Sequence, residues 1–369
     1  MNKLKISFNK YLSILKDILD KNDLALSLVI ACSIIAIAVF IGSHNNQIVL
    51  PYPHSHYRYS GHNFLGFMSN WDGVEYLNIA RHGYSSINLA SFFPLYPLLI
   101  KGLHFVVPSY LISSLIISWA AFSGAIYYYI KILKHLKIVD SQAERIRSVL
   151  FFVLFPTAIF FIAGFTESLY AFLTLGSIYY AFRKKILLSS ILIFLACLCH
   201  ITGVFLILLI VLILLEEKVK LYKIISPLIL GSLGILSFMI YLKARFNDPL
   251  EFIHAQVYLH GWLNHTFLSM LKSTRLMNAV FIILILLSAK FYWKTRKSFS
   301  IYSLSFLLIP IIGKQYGGFN RYVLMVFPIY FMLYEYFKNK RQIYFYFIIG
   351  TSILWTYIAL QYMGGYIGS

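Results

Sequence analysis

Long stretches of apolar side chains, separated by short basic clusters, fill the chain from residue 24 onward. A helix needs about 20 apolar residues to cross the hydrocarbon core of a bilayer. Runs of that kind, some of them shorter, lie at 24–42, 109–130, 147–165, 167–182, 186–202, 203–215, 224–242, 277–290, 299–313, 320–337 and 342–362. The segment 92–107 is apolar too, but Pro94, Pro97 and Pro108 punctuate it. Its prolines and aromatics suit a helix lying in the interface or re-entering. The pattern predicts an all-α polytopic membrane protein, one domain over 1–369, with about eleven transmembrane helices.

Composition agrees. The chain is 60% hydrophobic and 12% charged, with a mean hydropathy of +0.75. A soluble domain is about 45–50% apolar and about 25% charged. The net charge of +19 does not point to nucleic acid, because no basic domain or nucleic-acid motif accompanies it. Lysines and arginines are instead expected in cytoplasmic loops. Lys3, Lys5, Lys10, Lys16 and Lys21 put the N-terminal segment 1–23 inside. Clusters at 131–147, 183–185, 218–223, 290–297 and 338–341 fall on the same side, provided 92–107 does not cross. The N-terminal stretch is too long and mixed in charge for a cleaved signal. Two larger loops then lie outside, 43–108 and 243–276, carrying interfacial helices. Cys32, Cys197 and Cys199 sit in apolar runs, which suits packing and gives neither a disulfide framework nor a metal pattern.

Orientation sorts the carboxylates. Of thirteen, only Asp72, Glu75, Glu167, Asp248 and Glu251 fall on the outer side. Carboxylate chemistry there must use these. In "WDGVEYLNIARHGY", Asp72 and Glu75 are spaced to share a helix face, and they also fit an N-cap and capping box. Arg81 and His82 follow. Glu167 in "GFTESLY" opens a span, either as a site residue or as an acid complementing the dipole with Thr166 as cap. His200 lies at the end of a run, packed or facing a cavity. "FNDPLEFIHAQVYLHGW" reads as a turn and an interfacial helix anchored by Trp262. Arg321, in "GGFNRYVLMVFP", sits at an outer helix end, against the positive-inside bias. A planar guanidinium there suits a phosphate, the alternative being simple snorkelling. The histidines of "PHSHYRYSGH" match no metal signature, and a divalent metal, though possible, is not indicated.

Taken in order, "WDGVEYLNIARHGY", "FFPLYPLLI", "FTESLYAFLTLGSIYYAFRKK", "HITGVFL", "DPLEFIHAQ" and "RYVLMVFPIY" resemble the PIG-V-type mannosyltransferases, the family of the enzyme that adds the second mannose to glycosylphosphatidylinositol anchors, and their prokaryotic relatives. The family's Trp-Asp corresponds to Trp71 and Asp72, its Thr-Glu-Ser to Thr166, Glu167 and Ser168, and its Arg-Tyr to Arg321 and Tyr322. Relatives often carry Arg near the position of His200. The resemblance implies a GT-C-type glycosyltransferase bundle in the cell membrane. It implies a polyprenyl-phosphate sugar donor, mannose as the sugar, a glycan or glycolipid acceptor, and no cofactor. Asp72 is then the expected general base. Trp71, Glu75, Arg81, His82, Glu167, His200, Arg321 and Tyr322 are the expected substrate-binding set. The protein partner stays open. Two rivals remain, a transporter or flippase of a lipid-linked or small anionic substrate and a non-enzymatic scaffold. The first would need charges and broken helices at mid-span, and no inverted repeat is visible.

Overall fold

The computed structural model describes residues 22–45, 59, 61, 63–260, 275–312 and 318–365. The N-terminal lysines, His54, His56, His62, Trp262, His265 and Gly317 lie outside these residues. Among the described residues every regular element is helical.

Most predicted runs become helices because their residues have nowhere polar to go and their ends are marked. Helix α1, Asp23–Asn45, starts where the Asn22 side chain accepts hydrogen bonds from the Leu24 and Ala25 amides. Helix α2 is Asp72–His82 and α3 is Leu95–His104. Helix α4, Tyr110–His135, is capped by the Ser109 hydroxyl, and α5, Gln142–Val153, by a full capping box from Ser141 and Glu144. Then come α6 (Glu167–Phe182), α7 (Ile186–Cys199), α8 (Gly203–Glu216) and α9 (Leu221–Phe246). The chain ends with α10 (Glu251–His260), α11 (Arg275–Tyr292), α12 (Lys297–Ser305), α13 (Leu308–Ile312), α14 (Phe319–Tyr322), α15 (Pro328–Phe337) and α16 (Arg341–Met363). Four of them, α1, α4, α9 and α16, are long and apolar enough to cross a membrane. Ten-residue α3 is about 15 Å long at 1.5 Å per residue, half a hydrocarbon core.

The core forms where α4 packs on α6, α6 on α7, and α7 on α9, with α1 against α4. Cys197 and Cys199 are buried there, while Cys32 is exposed on α1.

Three of the predicted runs are interrupted rather than continuous helices. The run 147–165 ends as a helix at Val153 and continues as an irregular buried strap with one 3-10 turn, Ala158–Phe161. Pro156 explains the stop, since it has no N–H to donate and disfavours helical backbone before it. The run 299–313 divides between α12 and α13, and 320–337 between α14, a 3-10 turn at Val323–Met325, and α15, with Pro328 at its first turn. Irregular backbone in an apolar bundle survives only where protein satisfies it. Here it does. The Trp119 indole donates to the Ile162 carbonyl, the Ser118 hydroxyl to Phe165, and the Thr157 hydroxyl to Asn320. The Tyr302 and Tyr330 hydroxyls donate to Met325 and Leu324.

Candidate active site

Helix α2 begins at a strained residue. Trp71 has φ 57° and ψ −127°, a backbone state that side-chain-bearing residues rarely adopt. Such outliers cost on the order of 1–3 kcal/mol and persist only where neighbours impose them. Buried Asn70 does the imposing. Its side chain donates to the Met363 carbonyl and accepts from the Tyr59 amide, fixing the chain just before the bend. Trp71 is therefore the helix cap, without a side-chain cap bond, and Asp72 is the first helical residue. The capping box from Asp72 to Glu75 does not form. The Asp72 carboxylate turns elsewhere, and Glu75 accepts from the Asn78 amide at 3.4 Å.

The second carboxylate arrives on the strap. The Gly164 amide donates to the Met68 carbonyl at 2.7 Å, holding the strap beside the turn that precedes α2. Contact is close enough at two glycines that a side chain there would make Ser69 move. A Cβ on Gly73 would stand 2.8 Å from the Ser69 hydroxyl oxygen, and one on Gly164 2.5 Å from the same atom. Three residues after Gly164 the chain enters α6 at Glu167, whose side chain is 1% exposed. Thr166 makes no cap bond; its hydroxyl instead pairs with the Tyr76 hydroxyl at 3.3 Å.

Arg321 joins the two. Its Nε donates to Glu167 Oε1 at 2.7 Å and its Nη1 to Asp72 Oδ2 at 2.5 Å. The guanidinium also lies over the rings of Phe165 and Phe160, at 4.9 and 5.6 Å from their centroids. Three residues from positions 72, 167 and 321 thus meet at the starts of α2 and α6. Two acids against one base give a formal charge of −2 + 1 = −1 when all are ionised. The helix starts add partial positive charge from their free N–H groups. Exposure is graded: Asp72 24%, Arg321 12%, Glu167 1%. Asp72 is the acid open to a substrate. Glu167 Oε2 is buried and accepts no hydrogen bond among the described residues.

A wall of rings flanks the triad. His200 follows the last residue of α7, between Tyr170 and Tyr322, at centroid distances of 5.3 and 5.4 Å. The Thr202 amide donates to its Nδ1, so that nitrogen is an acceptor and the imidazole is the neutral Nε2–H tautomer. A neutral ring can donate one hydrogen bond and carries no charge of its own. Arg81 and His82 are not part of this gathering. They are exposed at the far end of α2, about 14 Å along its axis from Asp72. There Arg81 lies over the Tyr110 ring at 5.3 Å.

Sequence reasoning missed Ser69, Asn70, Gly73, Tyr76 and Gly164, which hold the triad without charge. The one available signal was glycine beside each acid, in "WDG" and "GFTE".

Comparison with known proteins supports the resemblance. A family model described as Mannosyltransferase (PIG-V) matches residues 50–216. That stretch contains Asp72, Glu167 and His200, while Arg321 and Tyr322 lie beyond it. The human GPI alpha-1,6-mannosyltransferase 2 is 30% identical over 136 residues, 35% of this chain and 28% of the relative. The Rattus norvegicus protein of the same name is 31% identical over 121 residues, 31% of this chain and 25% of the relative. The match therefore spans about a quarter of the length of these relatives. Among solved structures, an Archaeoglobus fulgidus oligosaccharyltransferase in complex with Zn and sulfate aligns with a TM-score of 0.47 and 12% identity, over 91% of this chain and 53% of that one.

Proposed function

We propose that the protein is a membrane glycosyltransferase that moves a sugar, mannose by family resemblance, from a polyprenyl-phosphate donor to a lipid-linked or cell-surface glycan on the outer side of the membrane. The observation that carries this reading is the convergence of Asp72, Glu167 and Arg321.

The reaction needs three things at one spot: a base for the acceptor hydroxyl, a cation for the departing phosphate, and protection from water. Asp72 is the base. The acceptor oxygen attacks the anomeric carbon, its proton passes to Asp72, and the bond from that carbon to the phosphate oxygen breaks. One displacement inverts the configuration. The lipid phosphate leaves with its negative charge, which Arg321 and the two helix starts stabilise. A phosphate leaves readily, so a glycosidase-type second acid is unnecessary. In the absence of substrate Arg321 is shared between Asp72 and Glu167. A donor phosphate competes for the Nη1 edge of that guanidinium, and its arrival frees Asp72 to accept a proton. Glu167 keeps Nε and holds the arginine in place.

The experiment is transfer of radiolabelled mannose from polyprenyl-phosphate mannose to endogenous acceptors in membranes, comparing the parent with Asp72→Asn at equal protein level. Loss of transfer in the variant is expected. Equal transfer removes Asp72 as the base and turns attention to Glu75 and Glu167. No transfer by the parent refutes mannose from this donor. One observation favours the transporter or flippase reading, namely that the triad stands beside two interrupted apolar runs. The same assay separates the two, because a transporter relocates the label without joining it to a new acceptor.

A further inference from the structure

Away from the triad, a pocket of about 530 Å³ opens between α5 and the start of α16, lined by Arg147, Arg341, Gln342, Tyr344, Phe345 and Tyr346. Helix α16 runs 23 residues from Arg341 to Met363, about 34 Å at 1.5 Å per residue. The Met363 carbonyl accepts from Asn70 beside the triad. The pocket therefore lies the thickness of a hydrocarbon core away from the triad, at the opposite end of this helix. Its two walls are fixed on each other. The Tyr344 hydroxyl donates to the Arg147 carbonyl at 3.2 Å, and the Tyr344 ring meets Phe151 edge to face.

The two arginines of the pocket have no acid among the described residues. Arg147 spends only its Nε–H, on the Ala143 carbonyl at 3.4 Å, and no described residue accepts from the Arg341 guanidinium. Glu144 is occupied by the Asp140 and Ser141 amides, and Glu335 by the Tyr292 hydroxyl. The Tyr334 hydroxyl is also buried and without a hydrogen-bond partner among the described residues, and Arg147 and Tyr344 are among its electrostatic neighbours. A lone arginine at a helix end can simply snorkel to water; two that line one cavity make a place for an anion. Beyond the pocket the surface of α16 turns apolar. Tyr346, Ile349 and Ile353 share one face and are 71%, 42% and 64% exposed. Gly350, on the same face, has open space where a side chain would stand.

We propose that this pocket binds the headgroup of an anionic phospholipid, with an acyl chain lying along Tyr346, Ile349 and Ile353. Each guanidinium offers paired N–H groups to the phosphate, and the Gln342 amide offers a further donor. Lys338, Lys340 and Arg341 put this end of α16 on the cytoplasmic face by the positive-inside pattern. Basic pockets between membrane helices on that face are where anionic headgroups bind. This lipid is distinct from the sugar donor, whose phosphate meets Arg321 at the opposite face. It holds α16 against α5, and the far end of α16 anchors Asn70.

The test uses the full-length protein in a neutral detergent and titrates it with phosphatidylglycerol, phosphatidylcholine or inorganic phosphate, reading bound molecules by native mass spectrometry. The parent is compared with a double variant, Arg147→Gln with Arg341→Gln, and with a control of equal charge loss, Lys184→Gln with Lys185→Gln, at exposed positions elsewhere on that face. The expected result is one phosphatidylglycerol per chain, bound on the order of tenfold more tightly than phosphatidylcholine, a preference lost in the arginine pair and kept in the lysine pair. Equal affinity for the two lipids overturns the proposal, and so does equal binding by the parent and the arginine pair. The same loss in both pairs overturns it too, by reducing the effect to diffuse surface charge. Inorganic phosphate bound as tightly as the lipid makes the pocket a site for a free anion instead. A normal elution profile checks folding, and Arg341→Gln alone, at an exposed side chain, gives a partial loss if the double variant does not fold. The readout contains no transfer step, so it stands or falls separately from the proposed reaction.

Discussion

Two groups of charges are held inside this apolar bundle, and they are built in opposite ways. At one end of α4, Asp23 is 2% exposed and takes Lys131 at 2.9 Å, Lys134 at 3.0 Å and Arg145 at 2.5 Å. At the other end, Arg321 takes Asp72 and Glu167. Lys134 and Ser118, which touches the strap leading to Glu167, are sixteen positions apart on α4, about 24 Å along its axis. The first group has one acid for three bases, with the acid closed in. The second has two acids for one base, with one acid open. A closed and over-supplied acid ties α1 to α4 and α5. An open acid sharing its one counter-ion among the described residues is poised to lose it to an incoming anion. The difference shows that a buried ion pair by itself says little about function. Stoichiometry and exposure decide.

The sharpest way to break this comparison is to neutralise the acid in each group. Asp72→Asn should lower transfer by about 10²–10⁴-fold, the usual worth of a positioned general base, and leave thermal unfolding in detergent nearly unchanged. Asp23→Asn should do the reverse. Three bases then face no buried acid, a loss of about 3–5 kcal/mol, while transfer per folded molecule stays at the parent level. If Asp23→Asn abolishes transfer in protein that remains folded, the division of labour fails.

Arg321→Lys sharpens the same point with a smaller effect. The charge stays, but one ammonium cannot reproduce a fork that holds Glu167 through Nε and Asp72 through Nη1. Transfer should fall on the order of tenfold or more, about 1.4 kcal/mol in the barrier, with KM for the donor rising as the phosphate contact weakens. A KM unchanged while kcat falls would mean that Arg321 does not meet the donor phosphate in the bound state.

Much of this was legible in the sequence, and what was not has physical reasons. Apolar runs gave α1, α4, α6 to α9, α11 and α16, because each buries its own backbone bonds and needs only side-chain chemistry that a list displays. The strap was hidden for the opposite reason. Its residues are as apolar as a span's, and its carbonyls are satisfied by Trp119 and Ser118 on α4, from 43 and 47 residues away. Pro156 was the local hint. Asp72, Glu167 and Arg321 were readable as chemically odd residues near helix ends, yet their meeting is a tertiary fact. The Asp23 group was not legible. Lys131, Lys134 and Arg145 read as orientation markers, and their shared partner is an acid over 100 residues distant that only the fold brings to them. A helix-start rule suggested Asp72 as cap, and the strained Trp71 took that place because Asn70 is anchored to residue 363.

The smallest expected effect tests whether the triad depends on its uncharged scaffold. Gly164→Ala places a methyl 2.5 Å from the Ser69 hydroxyl oxygen and 3.2 Å from that of Ser114. Overpacking of this kind costs about 1–3 kcal/mol. The strap must shift, and Glu167 lies only three residues beyond, so transfer should fall more than stability alone explains. Removing the obstruction should restore part of it. Ser69→Ala takes away the nearest oxygen, and the double variant should be more stable than the two single effects added together, a coupling of about 0.5–3 kcal/mol for residues in contact. Additive losses, measured by thermal unfolding and by transfer per folded chain, would show that the strap tolerates the methyl by moving as a whole. The closeness of Gly164 to Ser69 would then be incidental to how Glu167 reaches Arg321.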